Sequence, residues 1–491
     1  MVGRQGRVIL AILASVPGLL AQGSLPERQL RAAADLERDG QVEQAREIYQ
    51  RLVASGQAGP WTDDALLALA RLAWPVASEA GLLETYRPEA LEQARSALER
   101  IWNELQDSNS AAEAGYRLAL LRVLPEPGFY DPDGAIAVAG SLPTIHPDSP
   151  RVPDALLLAA RLHLRAGRPA RARELCWELL SRFPDHPAAA RAWLIAGRAA
   201  FASGLRGEAM TAFGRAQAAG DAAVARRGLE AATLLDRLSF GLLRSDPAYQ
   251  PEGSMLHLPE RAGDLALGPD DRVSATLGRR GELWSRARDG SLDTRALPGV
   301  RAVAYDAWGR LWSAGGNTVM MPAANLVLEN NREIIALAPV GPAAAWVVDS
   351  KARSVLRVEA GRGVVVEATL PGKATPLDLV GTEDGGAWVL DGRRRQLHRV
   401  ASDGSLLETR DLESLMRTPL ALARDQLGYL YVLDGKQKLV VIFTPEGEML
   451  SRVALPTAGE GGLARPDQLA VGAAGDLLLA DGRKKGLLWL R

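Results

Sequence analysis

Two different hydrophobic periods divide this chain. From about residue 25 to 245, apolar residues recur at the three- and four-residue intervals of amphipathic helices, in a background of Ala, Leu and Arg. From about residue 253 onward, short apolar runs alternate with polar positions and end at turns that contain Gly or Asp. The pattern predicts a helical first half and an all-β second half, and 491 residues are enough for both.

The helical half repeats one spacing after three glycines. A small alanine follows each glycine after five residues, and a larger side chain follows after nine. These sets are Gly40, Ala45 and Tyr49; Gly167, Ala172 and Cys176; and Gly204, Ala209 and Phe213. Glycine allows a tight turn between two helices, the alanine lets the helices approach closely, and the larger residue fills the groove to the next pair. The spacing therefore predicts a series of helix hairpins.

This spacing resembles the tetratricopeptide repeat, whose unit is about 34 residues. The resemblance covers 156–187 and 190–220 well and 28–55 in part, while 61–150 is interpreted as degenerate repeats. It implies a solenoid over residues 24–245 that offers a concave surface to protein partners. We expect Cys176, which takes a groove-filling position, to be buried and unreactive.

The second half contains six ungapped copies of one pattern, each built around a turn position. The turn positions are Leu277, Gly315, Asp349, Asp391, Asp434 and Asp481. Three residues before them lie Ser274, Trp312, Trp346, Trp388, Tyr431 and Leu478. Thirteen residues before them lie Asp264, Ala302, Ala336, Asp378, Ala421 and Gln468. Small residues suit an inner strand near a propeller axis and aromatic residues suit the next strand outward, so the copies predict six β-propeller blades. The turn aspartates are expected to accept backbone N–H bonds.

The copies resemble the NHL-repeat propellers, a six-bladed fold. The positions that carry the resemblance include Pro419, Ala421, Asp425, Gly428, Tyr431, Val432, Asp434, Phe443 and Gly447. The resemblance covers about 253–491, with 246–252 as a linker. The sixth copy has room for three strands only, so we expect 254–259 to supply its fourth strand and close the ring.

The N-terminus has the pattern of an export signal. A basic start, MVGRQGR, precedes the 14-residue apolar run VILAILASVPGLLA, and small residues surround Gln22. Residues 1–23 are interpreted as a cleaved signal of a bacterial protein, with a retained membrane anchor as the alternative. The sequence thus predicts a periplasmic or secreted protein without a transmembrane segment in its mature chain.

Residues with metal-binding or catalytic chemistry are few in the second half. Enzymes of related folds, such as amidating lyases and lactonases, hold a divalent metal in the propeller channel, which would need several His, Asp, Asn or Glu ligands. His257 and His398 are expected on outer strands, away from the axis. The weak channel candidates Asp264, Asp378 and Gln468 are interpreted as a polar plug, with a cation site as the alternative. We therefore predict no catalytic residue, no metal and no cofactor.

Charge is balanced overall, with 58 basic and 59 acidic residues, but it is sorted along the propeller turns. The loops between second and third strands carry Arg279, Arg280, Lys351, Arg353, Arg393, Arg394, Arg395, Lys436, Lys438, Arg483, Lys484 and Lys485. The loops of the opposite face carry mainly acidic residues. The pattern predicts a basic turn face that binds acidic protein surfaces or an anionic envelope polymer, and it lacks the aromatic residues typical of single-stranded nucleic-acid sites.

Together these features predict a non-enzymatic interaction scaffold of the bacterial cell envelope. Partners would bind the concave face of the repeats and the basic turn face of the propeller. The alternatives are a metal-dependent propeller lyase or lactonase and an envelope glycan-binding module.

Overall fold

The computed structural model describes most of the chain. The described residues are 24–55, 59, 61–78, 86–126, 128–219, 228–229, 249–268, 271–278, 281–287, 289–322, 324–329, 332–457, 462–473 and 475–491. The expected signal at 1–23 lies outside them. None of the helices in these ranges is both long enough and apolar enough to cross a membrane. The chain divides into two compact units, Met1–Leu121 and Arg122–Arg491.

The first unit is helical where it is described. Its helices are α1 (Leu25–Arg38), α2 (Val42–Ala54), α3 (Thr62–Ala73), α4 (Pro88–Glu104) and α5 (Ala111–Leu121). The turn between α1 and α2 contains Gly40 at φ +78°, a left-handed conformation that favours glycine. Ala45 and Tyr49 then point into a core shared by α1, α2 and α3. The hairpin predicted from the glycine spacing is thus present.

The second unit begins with five more helices. They are α6 (Pro132–Ile145), α7 (Val152–Arg165), α8 (Pro169–Arg182), α9 (Ala188–Ala202) and α10 (Arg206–Ala218). Gly167 and Gly204 lie at the α7–α8 and α9–α10 turns, with φ of +67° and +74°. At Gly197 an added Cβ would lie 2.7 Å from the ring of the buried Phe213, so the close approach of α9 and α10 requires a glycine there.

Six four-stranded antiparallel sheets follow, each a propeller blade. The first blade holds β2 (Ala262–Leu267), β3 (Val273–Leu277), β4 (Glu282–Arg286) and β5 (Leu292–Ala296); the second holds β6 (Ala302–Tyr305), β7 (Leu311–Gly315), β8 (Thr318–Met320) and β9 (Asn325–Val327); the third holds β10 (Ile334–Pro339), β11 (Ala344–Asp349), β12 (Ser354–Glu359) and β13 (Gly363–Glu367). The fourth holds β14 (Pro376–Gly381), β15 (Ala387–Asp391), β16 (Gln396–Val400) and β17 (Leu406–Asp411); the fifth holds β18 (Pro419–Arg424), β19 (Leu430–Asp434), β20 (Leu439–Phe443) and β21 (Met449–Ala454); the sixth holds β22 (Pro466–Val471), β23 (Leu477–Asp481), β24 (Gly486–Leu490) and β1 (Leu256–His257).

The blade core follows the predicted alternation. The aromatic residues three positions before the turn, Trp312, Trp346, Trp388 and Tyr431, are at most 1% exposed. Each lies on the second strand of its blade, and successive inner strands contact one another around the ring. Burial of one large aromatic side chain in each of blades two to five stabilises the packing of these sheets against their neighbours.

The ring is closed by a strand from before the first blade. Leu256 pairs with Leu487 and His257 pairs with Gly486 on β24, in antiparallel register. The N–H of Leu258 donates a further bond to the carbonyl of Lys485 over 2.7 Å, and the Leu258 side chain is 6% exposed. The predicted closing segment, 254–259, therefore contains the fourth strand of the sixth blade.

Within the second unit, the helices pack directly on the propeller. The ring centroids of Phe201 on α9 and Tyr429 in the fifth blade lie 5.7 Å apart. On the same helix, Arg198 donates to Gln426 Oε1 over 2.6 Å. Both propeller residues belong to the loop between β18 and β19. Part of the helical surface that the sequence offers to other proteins is therefore occupied by this chain's own propeller.

Candidate interaction surface

The loops between second and third strands of blades three to six share one construction. Each starts from a buried aspartate, and these are Asp349, Asp391, Asp434 and Asp481. Oδ1 of Asp481 accepts hydrogen bonds from the N–H groups of Arg483 and Lys484, over 2.9 and 2.8 Å. Oδ2 of the same residue accepts from the N–H of Arg465, which precedes the blade, over 2.9 Å. The other three aspartates also accept N–H bonds from their turn and from the preceding connection. The bonding predicted for the turn aspartates is confirmed.

The fourth residue after each aspartate is basic and has left-handed backbone geometry. These residues are Arg353, Arg395, Lys438 and Lys485, with φ of 57°, 55°, 52° and 51°. This backbone conformation is sterically unfavourable for lysine and arginine, and it favours glycine and asparagine. The bonds to the aspartate hold the turn in this shape and so fix the direction in which the neighbouring side chains leave it.

Four of the basic turn residues bind within the chain. Lys438 Nζ donates to the carbonyl of Leu463 over 3.2 Å, and Lys484 Nζ donates to that of Gly462 over 2.5 Å. Arg394 donates to the carbonyl of Pro371 over 3.1 Å, and Arg395 pairs with Glu413. All four acceptors lie in connections between blades, so these cations brace the turns against the ring.

The other described basic turn residues are exposed. Lys351 lies on the surface of the third blade at the second position after its aspartate. Five more are exposed at the second or fourth position, and we name them the cationic arc: Arg353, Arg393, Lys436, Arg483 and Lys485. All are on one face of the disc, because they occupy the same loop in successive blades. Arg279 and Arg280 lie outside the described residues.

The aspartate turn is seen in blades three to six of the described chain. The second blade has Gly315 at the corresponding position, because an added Cβ would collide with the carbonyl oxygen of Gly299. The first blade has Leu277 there, which is 1% exposed. The exposed basic residues therefore form an arc rather than a full ring.

The opposite face is where the helices of the second unit are bound. Trp308, in the loop between β6 and β7, has Tyr130 perpendicular to it at 5.6 Å between ring centroids. The guanidinium of Arg165 from α7 lies 5.5 Å above the same ring. Arg310 donates to the carbonyl of Pro125 over 3.0 Å and to Asp306 Oδ2 over 2.8 Å. No periodicity in the sequence predicts these contacts, because they join residues that are far apart in the chain.

The acidic residues of that opposite face are largely engaged in local bonds. Asp425 is 4% exposed and accepts from the N–H groups of Leu427 and Tyr429, both over 2.9 Å. Burial raises its pKa to about 6, although these hydrogen bonds oppose the shift. Glu383 pairs with Arg424 over 3.4 Å, and burial raises its pKa as well. These acidic residues thus form bonds within the propeller loops of this face.

The channel candidates link neighbouring inner strands. Asp264 Oδ2 accepts the N–H of Val303 over 2.8 Å, and Asp378 Oδ2 accepts the N–H of Leu422 over 2.7 Å. Gln468 Nε2 donates to the carbonyl of Gly263 over 2.8 Å. Each bond crosses from one blade to the next. Across the described ranges, no three His, Cys, Asp or Glu side chains are grouped so as to hold one metal ion.

The remaining candidate side chains lie where the sequence places them. His398 is on the third strand of the fourth blade, fully buried, and His257 is on the closing strand. His398 Nδ1 shares a hydrogen bond with Thr409 Oγ1 over 2.9 Å, and burial lowers the pKa of the imidazole. Cys176 is buried as predicted, and burial raises the pKa of its thiol to about 12.

Comparison with known proteins supports the helical assignment. The tetratricopeptide repeat family model matches residues 153–192, which include nearly all of α7, the whole of α8 and the start of α9. No curated protein sequence matches the chain. Tetratricopeptide repeats and propellers are both folds of protein-interaction scaffolds.

Several solved structures are similar to parts of the chain. A streptogramin B lyase is 15% identical over 50% of this chain and 97% of its own, with a TM-score of 0.40. A virginiamycin B lyase from Staphylococcus aureus is 16% identical over 48% and 82%, with a TM-score of 0.39. The MamA protein is 18% identical over 40% and 91%, with a TM-score of 0.31. All three TM-scores are below 0.5, so these similarities do not indicate an activity for this chain.

Proposed function

We propose that this chain is a non-enzymatic interaction scaffold of the bacterial cell envelope, and that its propeller binds an acidic partner protein through the cationic arc. The observation that carries the proposal is that the two faces of the disc have different contacts. One face holds the helices through Tyr130, Arg198 and Phe201. The other presents exposed cations on turns fixed by buried aspartates. A partner that binds there leaves the helix contact intact.

Electrostatics decides the kind of partner. Exposed lysine and arginine side chains attract carboxylates, and the attraction extends over about 8 Å at physiological ionic strength. The ten described basic residues of these turns outnumber the four turn aspartates and Glu413, which pairs with Arg395. The arc therefore retains a local positive field although the whole chain is almost neutral.

The cellular location rests on the first residues. The basic start and short apolar run of 1–23 support export from a bacterial cytoplasm, which would bring the scaffold among envelope proteins. The first-unit helices offer a second surface to such proteins. Their grooves include one of about 460 Å³ between α2, α3 and α4, with Leu66, Leu69 and Val53 in its lining.

The test is partner capture by the full chain from a solubilised envelope fraction, at low and at high salt. Replacing all five residues of the cationic arc with Ser should abolish capture of the salt-sensitive partners, whereas the melting temperature should stay the same because the changes are exposed. Glu446→Lys, an exposed charge reversal on the opposite face, controls for a change of charge outside the arc and should retain capture. If the arc variant captures the same partners at low salt as the unaltered chain, the arc is not the binding surface.

A further inference from the structure

One exposed cation is presented at the same position in successive blades. Arg393, Lys436 and Arg483 each stand two residues after the turn aspartate of blades four, five and six. The backbone N–H of each is bound to that aspartate, over 3.0, 2.9 and 2.9 Å. The position of the side chain is therefore set by the same rigid turn in all three blades.

The neighbouring cations are held in the opposite way. Arg394, Lys438 and Lys484 stand one or two residues further on, and all three donate to backbone carbonyls of the inter-blade connections. Each loop thus has one exposed basic residue that stands two positions after the aspartate and another whose charged group is bound to the ring, although Arg394 of the second set is also exposed. A ligand can bind the first set without displacing the bonds of the second set.

The layout selects among anionic ligands. The turn N–H groups already donate to the aspartates, so a ligand must be recognised by the side chains alone. A phosphate group is bound best where several donors converge on it. Single cations that are one blade apart fit carboxylates carried one by one along a chain. Because the cations follow an arc over blades three to six, an elongated ligand fits them better than one centred on the propeller axis.

We infer, on the basis of the function proposed above, that the ligand of the cationic arc is an extended acidic segment of a partner protein. Its Asp or Glu carboxylates pair in succession with Arg393, Lys436 and Arg483. The segment lies across blades four to six, and Arg353 and Lys485 extend the positive surface at the two ends of the arc.

The test uses the full chain and a fluorescein-labelled oligoglutamate peptide, followed by fluorescence anisotropy at low salt. The triple variant R393S, K436S and R483S removes the presented cations. The matched variant R394S, K438S and K484S removes as many charges from the same loops, but takes the bracing ones. We expect the first variant to weaken binding about tenfold or more, and the second to stay within about twofold of the unaltered chain. Added salt should abolish the difference.

The melting temperatures of the two variants provide an independent readout. The melting temperature should fall for the R394S, K438S and K484S variant and should stay unchanged for the R393S, K436S and R483S variant. Equal loss of peptide binding in both variants would show that only net charge matters, and would overturn the inference.

Polyphosphate in the same assay separates the two kinds of ligand. If polyphosphate of equal charge displaces the peptide at much lower concentration, the ligand is a phosphate polymer. The inference of an acidic protein segment is then wrong, although the arc remains the binding surface. If oligoglutamate does not bind while capture of envelope proteins still depends on the arc, the inference of an extended acidic segment is wrong. The proposed scaffold function is then unaffected. If neither binding nor capture depends on the arc, both proposals fail.

Discussion

The Oδ2 atom of Asp378 on the inner strand of the fourth blade accepts a hydrogen bond from the N–H of Leu422 on the inner strand of the fifth, over 2.7 Å. Asp264 makes the equivalent bond from the first blade to Val303 of the second. These bonds join neighbouring blades at the channel, where the strands carry mostly small residues. Their contribution to stability can be measured directly.

Replacing Asp378 with Ala should lower the free energy of unfolding of the propeller by about 1–3 kcal/mol, because the partly buried N–H of Leu422 loses its acceptor. Denaturant unfolding followed by tryptophan fluorescence measures the change. Asp293→Ala, which removes an exposed carboxylate on β5, is the control and should cost less than about 0.5 kcal/mol. Equal effects of the two substitutions would mean that the channel bond does not stabilise the ring.

The same two aspartates should make stability depend on pH. Burial raises the pKa of Asp264 to about 7, and burial together with the charge of Asp264 raises that of Asp378 to about 8. An unfolded aspartate has a pKa of about 3.9, so between about pH 4 and pH 8 the folded chain binds more protons than the unfolded chain. This contribution to stability is therefore present at acidic pH and is lost as the pH rises through the folded pKa values.

The D264N and D378N double variant lacks this contribution. From about pH 5 to pH 8, the melting temperature of the unaltered chain should fall relative to that of the double variant. The comparison cancels the titration of all other groups. Parallel curves for the two proteins would show that both carboxylates are ionised in the folded state throughout this range.

Ring closure should depend on Leu258, beside the closing strand. Leu258→Ala removes a side chain that is 6% exposed and should destabilise the propeller by about 2–3 kcal/mol. Leu292→Ala on β5, where the side chain is 64% exposed, is the matched control and should change the melting temperature little. A deletion of 253–259 removes the β1 pairing altogether and should leave an unfolded or aggregated propeller.

Phe201 should hold α9 on the propeller. Its side chain is 2% exposed and lies against the ring of Tyr429. Phe201→Ala should therefore destabilise this contact by about 3–5 kcal/mol. Hydrogen exchange should then become faster both in α9 and in the loop between β18 and β19. The control is Leu205→Ala, at a residue that is 40% exposed in the next turn. Unchanged exchange in the propeller loop would show that the two elements are not coupled through Phe201.

Export predicts a shortened chain. If 1–23 is a cleaved signal, the intact mass of protein from the periplasmic fraction should correspond to an N-terminus near Gln22 or Ser24. The control is the same gene expressed without these residues, which should remain in the cytoplasm. A full-length mass in the membrane fraction would identify the segment as a retained anchor.

Much of the architecture was readable from the sequence because it depends on local periodicity. The glycines at 40, 167 and 204 mark helix hairpins, since only a glycine readily adopts the left-handed turn. The six blades were predicted from six copies of one pattern, in which Trp312, Trp346 and Trp388 recur at one offset from the turn. The pattern repeats because equivalent strands of successive blades have similar surroundings. The turn aspartates belong in part to this local class, because each accepts N–H bonds from the residues two and three positions onward.

What the tertiary structure alone decided is which charges are presented and which are bound. The sequence lists Arg393 and Arg394 as equal neighbours, but the second donates to Pro371 of an inter-blade connection and the first remains on the surface. Likewise, no periodicity predicts that Tyr130 and Phe201 pack on loops of the second and fifth blades. Such contacts join residues far apart in the chain, and their formation depends on the folded positions of whole elements rather than on the residues beside them.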